Sequence, residues 1–196
     1  DRILVANYGN GADVFTLRAT EQISKIRDRA ETRRHLESKM ILDNYERYAR
    51  WRGLVDMAPP SRQPALATPS ASCLWRDRDA IVALYGVKCK HCGTKQYPPQ
   101  RVCTVCHTKD DFEPYRFADK KATVFTYAND YLWPSPDSPV VVTVINFDGG
   151  GRMVAEMTDR DLNEVKIGMP LKMTFRKLFS AEGIQNYFWK CTPIRN

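Results

Sequence analysis

The sequence predicts a mainly β fold with a helical N-terminal part, in which a four-cysteine ribbon leads into a small five-stranded barrel. Three observations carry this. Four of the six cysteines fall as two CxxC pairs, Cys89/Cys92 and Cys103/Cys106, with ten residues between the pairs. Five short runs rich in β-formers follow them, separated by glycine and proline turns. Before them lies a stretch with helical apolar spacing, closed by a proline-rich segment.

At 196 residues the chain is long enough for one or two domains with real cores. Apolar residues make up 43% and charged residues 27%, the balance of an ordinary globular protein. No apolar run is long enough to span a bilayer, and no signal-peptide order opens the chain. The expected setting is therefore the cytoplasm, with no membrane partner. Cysteines paired as CxxC favour metal in a reducing compartment over a disulfide framework. A net charge of +7 fits an anionic partner, whether nucleic acid, a phosphate-bearing cofactor or an acidic protein.

Residues 1–19 read as a β-hairpin. Ile3 to Tyr8 is an apolar run, Gly9-Asn10-Gly11 is a turn, and Val14 to Leu17 resumes the extended pattern. A lone hairpin is marginal in water. It is expected to complete a sheet supplied from elsewhere. Residues 20–57 read as helical, with Thr20 as N-cap and Glu21 in the first turn. Ile23, Ile26, Ala30, Leu36, Met40, Tyr45 and Tyr48 form the stripe, with a phase break near Arg33-Arg34, so one bent helix or two helices fit. Residues 58–74 read as a linker, because four prolines fall between 58 and 72.

Residues 75–115 should hold a short helix, Trp75 to Leu84, and then the ribbon. Zinc takes a tetrahedral shell, and thiolate sulfur satisfies it at about 2.3 Å. Two residues between cysteines let a tight turn aim both sulfurs at one ion, and Gly93 suits the positive φ after that turn. Cys89, Cys92, Cys103 and Cys106 already fill the shell, so His91 and His107 are not expected as ligands. A full Cys₄ shell has no open position and marks a structural zinc. Cys73 and Cys191 read as packing residues. Between the knuckles, Tyr97-Pro98-Pro99-Gln100-Arg101 is a stiffened segment, either a rigid ribbon loop or one wall of a ligand channel. Lys88, Lys90, Lys95 and Arg101 would suit phosphate.

Residues 116–196 should form the barrel. Its expected strands are Ala122–Tyr127, Val140–Phe147, Arg152–Met157, Leu171–Arg176 and Asn186–Cys191. Asp148-Gly149-Gly150-Gly151 turns the second strand into the third. Such a set suits an OB-type barrel. Trp133, in the loop between the first two strands, either stacks on a ligand base or caps the barrel.

Cys89-x-x-Cys92-Gly93, Gln96-Tyr97-Pro98-Pro99, Cys103-x-x-Cys106, Val140 to Phe147 and the VxIGMP segment at Val165–Pro170 occur in one order. Over about residues 75–193 the chain resembles the zinc-ribbon plus OB-fold accessory proteins (domain of unknown function 35 type) found beside thiolase-superfamily enzymes. The resemblance implies a rubredoxin-like ribbon, a structural zinc, and a module that holds a CoA thioester for a partner enzyme. Tyr97, Pro98, Arg101 and Trp133 are the CoA contacts that position and chemistry then select. Asp1 to Ala12 is similar to the last strands of a 3-hydroxy-3-methylglutaryl-CoA synthase-like thiolase fold. That likeness implies a thiolase-superfamily partner, in the same polypeptide or as a separate subunit. The catalytic residues of such an enzyme are not in this sequence, so no catalytic residue is assigned here. The alternative is a nucleic-acid-binding protein, since ribbons and OB barrels both serve that role. Against it, Val140 to Ile145 is nearly all apolar, and Asp159, Asp161 and Glu164 lie close by in sequence.

Overall fold

The computed structural model describes residues 2–27, 31–55, 67–133, 135 and 137–195. They fall into two compact units, residues 1–41 with the last two residues, and residues 42–194.

The first unit opens with β1 (Arg2–Gly9) and β2 (Gly11–Arg18), an antiparallel hairpin turning at Asn10. The register alternates side chains between two faces. Ile3 pairs with Leu17 and Val5 with Phe15 on one face; Leu4 pairs with Thr16, Ala6 with Val14 and Tyr8 with Ala12 on the other. Both faces carry apolar pairs, beside Asn7–Asp13 on the first and Arg2–Arg18 on the second, and every residue of both strands is exposed. Two short helices follow, α1 (Gln22–Arg27) and α2 (Glu31–Glu37).

Among the described residues the expected helical stretch is helical over Gln22–Arg27, Glu31–Glu37 and Tyr45–Arg52, and the break expected near Arg33-Arg34 comes later. Arg33 and Arg34 lie within α2. The helix ends instead where the Ser38 amide and hydroxyl both close on the Arg34 carbonyl, at 2.9 and 2.7 Å. In the second unit α3 (Tyr45–Arg52) begins afresh. The Asn44 side chain accepts from the Arg47 amide at its start, and Gly53, at φ 68°, caps its end. The linker expected at 58–74 lies outside the described residues as far as residue 66.

The helix expected over Trp75–Leu84 is corrected to two shorter ones, α4 (Ala71–Arg76) and α5 (Arg78–Val82). The Ser70 hydroxyl accepts from the Cys73 amide and starts α4 early; Asp77, at φ −104° and ψ 15°, separates the two. The ribbon sheet has β3 (Tyr85–Cys89) at its centre, flanked by β4 (Lys95–Gln96) and β5 (Phe112–Arg116), all antiparallel.

The barrel strands are β6 (Lys121–Asp130), β7 (Val140–Phe147), β8 (Arg152–Met157), β9 (Pro170–Ala181) and β10 (Ile184–Pro193). They close in the order β6-β7-β8-β10-β9, and β9 returns to β6. Counting from β6, this is 1-2-3-5-4-1, the strand order of an OB barrel, with β8 and β10 parallel at Met157 and Cys191. All five strands fall where the sequence placed them, and β6, β9 and β10 run on past the expected ends. Along β7 every second residue is buried, ending with Val141, Thr143, Ile145 and Phe147 inside. Thr143 meets its buried polar atom by donating to the Ala155 carbonyl at 2.6 Å. Cys191 packs beside it with no exposure.

Phe117 joins ribbon to barrel. It is fully buried, with ring centroids 6.1 Å from Tyr97 and 4.9 Å from Tyr115 on the ribbon side, and 4.7 Å from Phe147 of the barrel. Two glycines make room for it. A Cβ on Gly86 or Gly151 would fall 2.5 Å from a Phe117 ring carbon. Helix α5 braces the same junction. The Tyr97 hydroxyl donates to the Ala80 carbonyl, and the Trp189 indole donates to that of Ile81. Both carbonyls lie in the last turn of α5, where the helix offers them no amide.

Candidate metal centre and ribbon surface

The two knuckles are built alike. Cys89 leads the first turn, with the Gly93 amide donating to its carbonyl at 2.9 Å; the His107 amide does the same for Cys103 at 3.1 Å. Gly93 takes φ 75°, as its place after the turn requires, and His107 takes φ 60° at the equivalent position. The four sulfurs of Cys89, Cys92, Cys103 and Cys106 all lie within 4.8 Å of one another. Cys89 Sγ is 3.6 Å from Cys106 Sγ, and Cys92 Sγ is 3.5 Å from Cys103 Sγ. These spacings are far too long for disulfides. They match the edge of a tetrahedron, about 3.8 Å, that follows from a zinc–sulfur bond of about 2.3 Å. The donor set fits a structural zinc with a closed shell. Neither histidine belongs to the cluster among the described residues.

Threonine recurs at the same offset in each knuckle. The Thr94 hydroxyl is 3.1 Å from Cys92 Sγ and the Thr108 hydroxyl 3.2 Å from Cys106 Sγ. These hydroxyls, with the threonine backbone amides, favour the thiolates. Cys92 is lowered from its ordinary value and Cys106 is drawn down to about 7. Cys103 is lowered by the Cys106 amide. At Cys89 the Cys92 amide pulls the same way, yet burial and the neighbouring thiols leave it pushed up to about 11. A zinc ion held by these four cysteines, which binds thiolates, would supply the missing stabilisation at that buried sulfur.

The four cations expected to meet phosphate are all engaged within the chain. Arg101 grips Asp110 through Nε and Nη2, both at 2.7 Å, and holds that carboxyl below its ordinary range. Lys88 pairs with Glu113 at 2.7 Å and Lys90 with Asp111 at 3.4 Å. Lys95 donates to the Gly149 carbonyl and lies over the Tyr115 ring at 5.3 Å.

The selected CoA contacts divide in the same way. Tyr97 is half-buried, its hydroxyl bound at Ala80 and its ring edge on Phe117, and burial raises its phenol pKa. Pro98 is exposed beside it. Trp133 stands at a separate place in the second unit, on the β6–β7 loop. There the Asp130 carboxylate accepts from the Leu132 and Trp133 amides, at 2.8 and 3.1 Å. The indole is 45% exposed, and Tyr131 and Leu132 beside it more so. The far end of this loop is held by Arg160, which is buried and binds the Asp137 carboxylate, the Asp137 carbonyl and the Pro139 carbonyl.

Comparison with known proteins agrees with this geometry. Residues 83–113 match the family described as the ChsH2 rubredoxin-like zinc ribbon domain, and residues 115–176 the ChsH2 C-terminal OB-fold domain. A DUF35 domain-containing scaffold protein of Methanocaldococcus jannaschii is 31% identical over 127 residues, which cover 62% of this chain and 89% of that protein. The chain belongs to the DUF35 family. A DUF35 scaffold protein of Methanothermobacter thermautotrophicus is 28% identical over 61% of this chain and 92% of its own length. The one from Pyrococcus furiosus is 27% identical over 61% and 90%. Among solved structures, an Ltp2-ChsH2(DUF35) aldolase shares 21% identity over 67% of this chain and 98% of that chain, with a TM-score of 0.47. A DUF35 protein of unknown function from Sulfolobus solfataricus shares 23% over 49% and 69%, with a TM-score of 0.37.

Several residues of this DUF35 chain escaped the sequence reading. Thr94 and Thr108 were legible as a repeated Cys-x-x-Cys-x-Thr spacing. Gln96 was passed over as part of a motif, although its side chain is buried and bonded. Phe117, Gly86 and Gly151 carried no local signal, because their meaning lies in contacts between distant segments. Among the described residues no helix is long and apolar enough to cross a membrane.

Proposed function

We propose that this chain is the scaffold module of a thiolase-superfamily acyltransferase or condensing enzyme of the 3-hydroxy-3-methylglutaryl-CoA synthase-like kind. It holds a CoA thioester, seals or channels it to the partner's active site in the cytoplasm, and supplies no catalytic residue itself. The observation that carries the reading is the hairpin. Among residues 2–41 none whose exposure is described is buried, yet β1 and β2 carry apolar residues on both faces. Strands of that pattern belong to sheets covered on both sides. A hairpin with no core of its own fits one that enters a sheet belonging to a larger fold, in the same polypeptide or in a second subunit. Membership of a family whose relatives are named scaffold proteins supports a partner enzyme.

CoA contacts at Tyr97, Pro98, Arg101 and Trp133 remain the reading's finer part. Arg101 and the neighbouring lysines would exchange exposed acidic partners for ligand phosphates. Exposed pairs are worth only about 0–1 kcal/mol, so the exchange costs little. The nucleic-acid alternative draws on the aromatic set Phe175, Tyr187 and Trp189 on β9 and β10. It is disfavoured because two of the cations beside that set are neutralised at home, Arg176 by Asp159 and Lys190 by Glu156.

The test is capture of partners from native lysate by the full chain and by a Val5→Lys, Phe15→Lys variant, with identification by mass. Recovery of a thiolase-superfamily enzyme by the first and not the second supports the reading. Recovery of nucleic acid without an acyltransferase refutes it. Titration calorimetry with acetyl-CoA, alone and with the captured enzyme, tests the ligand; absence of binding in both removes the CoA part.

A further inference from the structure

Gln96 has a backbone and a side chain that face different parts of the ribbon. Its backbone lies in β4, paired with Val87 of β3, and its carbonyl fills the place a side chain on Gly86 would need. The side chain is 94% buried by residue exposure, with 6% of the residue left accessible, and turns the other way. Its amide oxygen accepts from the Thr104 amide at 2.7 Å and from the Thr104 hydroxyl at 3.1 Å; Nε2 donates to the Val102 carbonyl at 3.2 Å. Val102 and Thr104 are the residues on either side of Cys103. The amide therefore straddles one zinc ligand and fixes the backbone before and after it.

Three further bonds of the second knuckle are internal. Cys103 donates to Thr108, His107 to Cys103, and Val102 bridges Lys109. They shape the turn but do not set its distance from Cys89 and Cys92. The segment after the knuckle is tied to the first one by the Lys90 amide, which donates to the Asp111 carbonyl at 3.1 Å, and by the pairing of Cys89 with Phe112; at Cys103 itself the tie is Gln96, because its backbone belongs to the strand pair that carries the first knuckle. A buried amide with partners on one segment only is also costly to leave unsatisfied, so the contact is held in the absence of metal as well.

We propose that Gln96 is a positioning residue of the metal centre: it holds Cys103 at bonding distance from the first knuckle before the ion binds. Sites arranged in advance lose less ordering entropy on binding, and outer-shell partners of this kind change metal affinity by roughly 10–100-fold.

The experiment uses the full chain and three variants. Gln96→Met keeps the volume and removes all three bonds. Gln96→Glu keeps the acceptor and removes the donor to Val102. Thr104→Val removes the hydroxyl contact alone. Zinc affinity is read by chelator competition, and cobalt(II) is substituted to read ligand geometry from its visible spectrum. Barrel melting is followed in parallel in the metal-loaded chain. The expected result is a loss of zinc affinity of roughly 10–100-fold for Gln96→Met, a smaller loss for Gln96→Glu and a few-fold loss for Thr104→Val. The cobalt bands shift in Gln96→Met while barrel melting stays within a few degrees. An unchanged affinity and spectrum in Gln96→Met overturns the proposal. So does an affinity loss that merely follows a fall in barrel melting. If Gln96→Met does not fold, an unchanged affinity in both other variants overturns it equally.

Discussion

Replacement of Gly151 by alanine tests how ribbon and barrel are joined. Two costs meet at this position. The backbone sits at φ 101°, where a side chain is strained whatever the space, and such strain costs on the order of 1–3 kcal/mol. The added methyl would also fall 2.5 Å from Phe117 Cε1 and 3.0 Å from Cζ, an overpacking cost of about 1–3 kcal/mol. The expected total is about 2–6 kcal/mol, a large share of a domain stability of about 5–15 kcal/mol. The two parts can be separated. Phe117→Leu shortens the ring that the methyl meets and leaves φ untouched. It costs less than the about 3–5 kcal/mol of full truncation to alanine. In that background Gly151→Ala should lose its steric part, giving a coupling of about 1–3 kcal/mol in the double-mutant cycle. Urea unfolding of the zinc-loaded chain, followed by tryptophan fluorescence, measures all four corners. Equal costs for Gly151→Ala in both backgrounds would refute the claim that this glycine exists to admit Phe117, leaving backbone conformation as its whole reason.

Four further outcomes follow from particular side chains. In the zinc-loaded chain, Cys73, half-exposed on α4, should react first with a thiol reagent. A chelator should release the four ribbon thiols, and Cys191 should wait for denaturant, because burial leaves it inaccessible and pushed up to about 11. That shift also sets a sign. A folded thiol raised from 9.0 to about 11 keeps its proton while the unfolded one loses it. Stability is thus full below pH 9 and falls as pH rises toward 11, by up to about 3 kcal/mol, and Cys191→Ala should flatten that slope. His107→Gly should stabilise the ribbon by up to about 1 kcal/mol in chelator-dependent melting. It removes left-handed strain of about 1–2 kcal/mol and gives back part of that gain through the freer unfolded chain. Arg160→Met should loosen the far end of the Trp133 loop, leaving two carbonyls without their donor. We expect a loss of about 1–3 kcal/mol and faster proteolysis near Trp133, and resistance equal to the unaltered chain would contradict the latch.

What could be read from the sequence was what is local or repetitive. The cysteine spacing gave the metal centre, and five β-rich runs gave the barrel strands, because thiolate geometry and period-two burial both act over a few residues. Val140–Phe147 was placed to the residue because its whole inner face is core. The helices were placed less well. Their starts and ends depend on single caps, Ser70, Asn44 and the double bond to the Arg34 carbonyl, which compete with propensity by about 1 kcal/mol. The pairing of the ribbon's charges was hidden for a different reason. Lys88, Lys90 and Arg101 look like phosphate donors in one dimension, but Asp110, Asp111 and Glu113 reach them only after the ribbon folds back. Charge in a sequence is a sum, whereas the fold decides which cations a ligand must first part from an acidic neighbour. The hairpin inverts that lesson. Its apolar residues pair with one another yet are buried by none of the described residues of their own unit, so the feature with least cover within its unit is the one that points most directly to a partner.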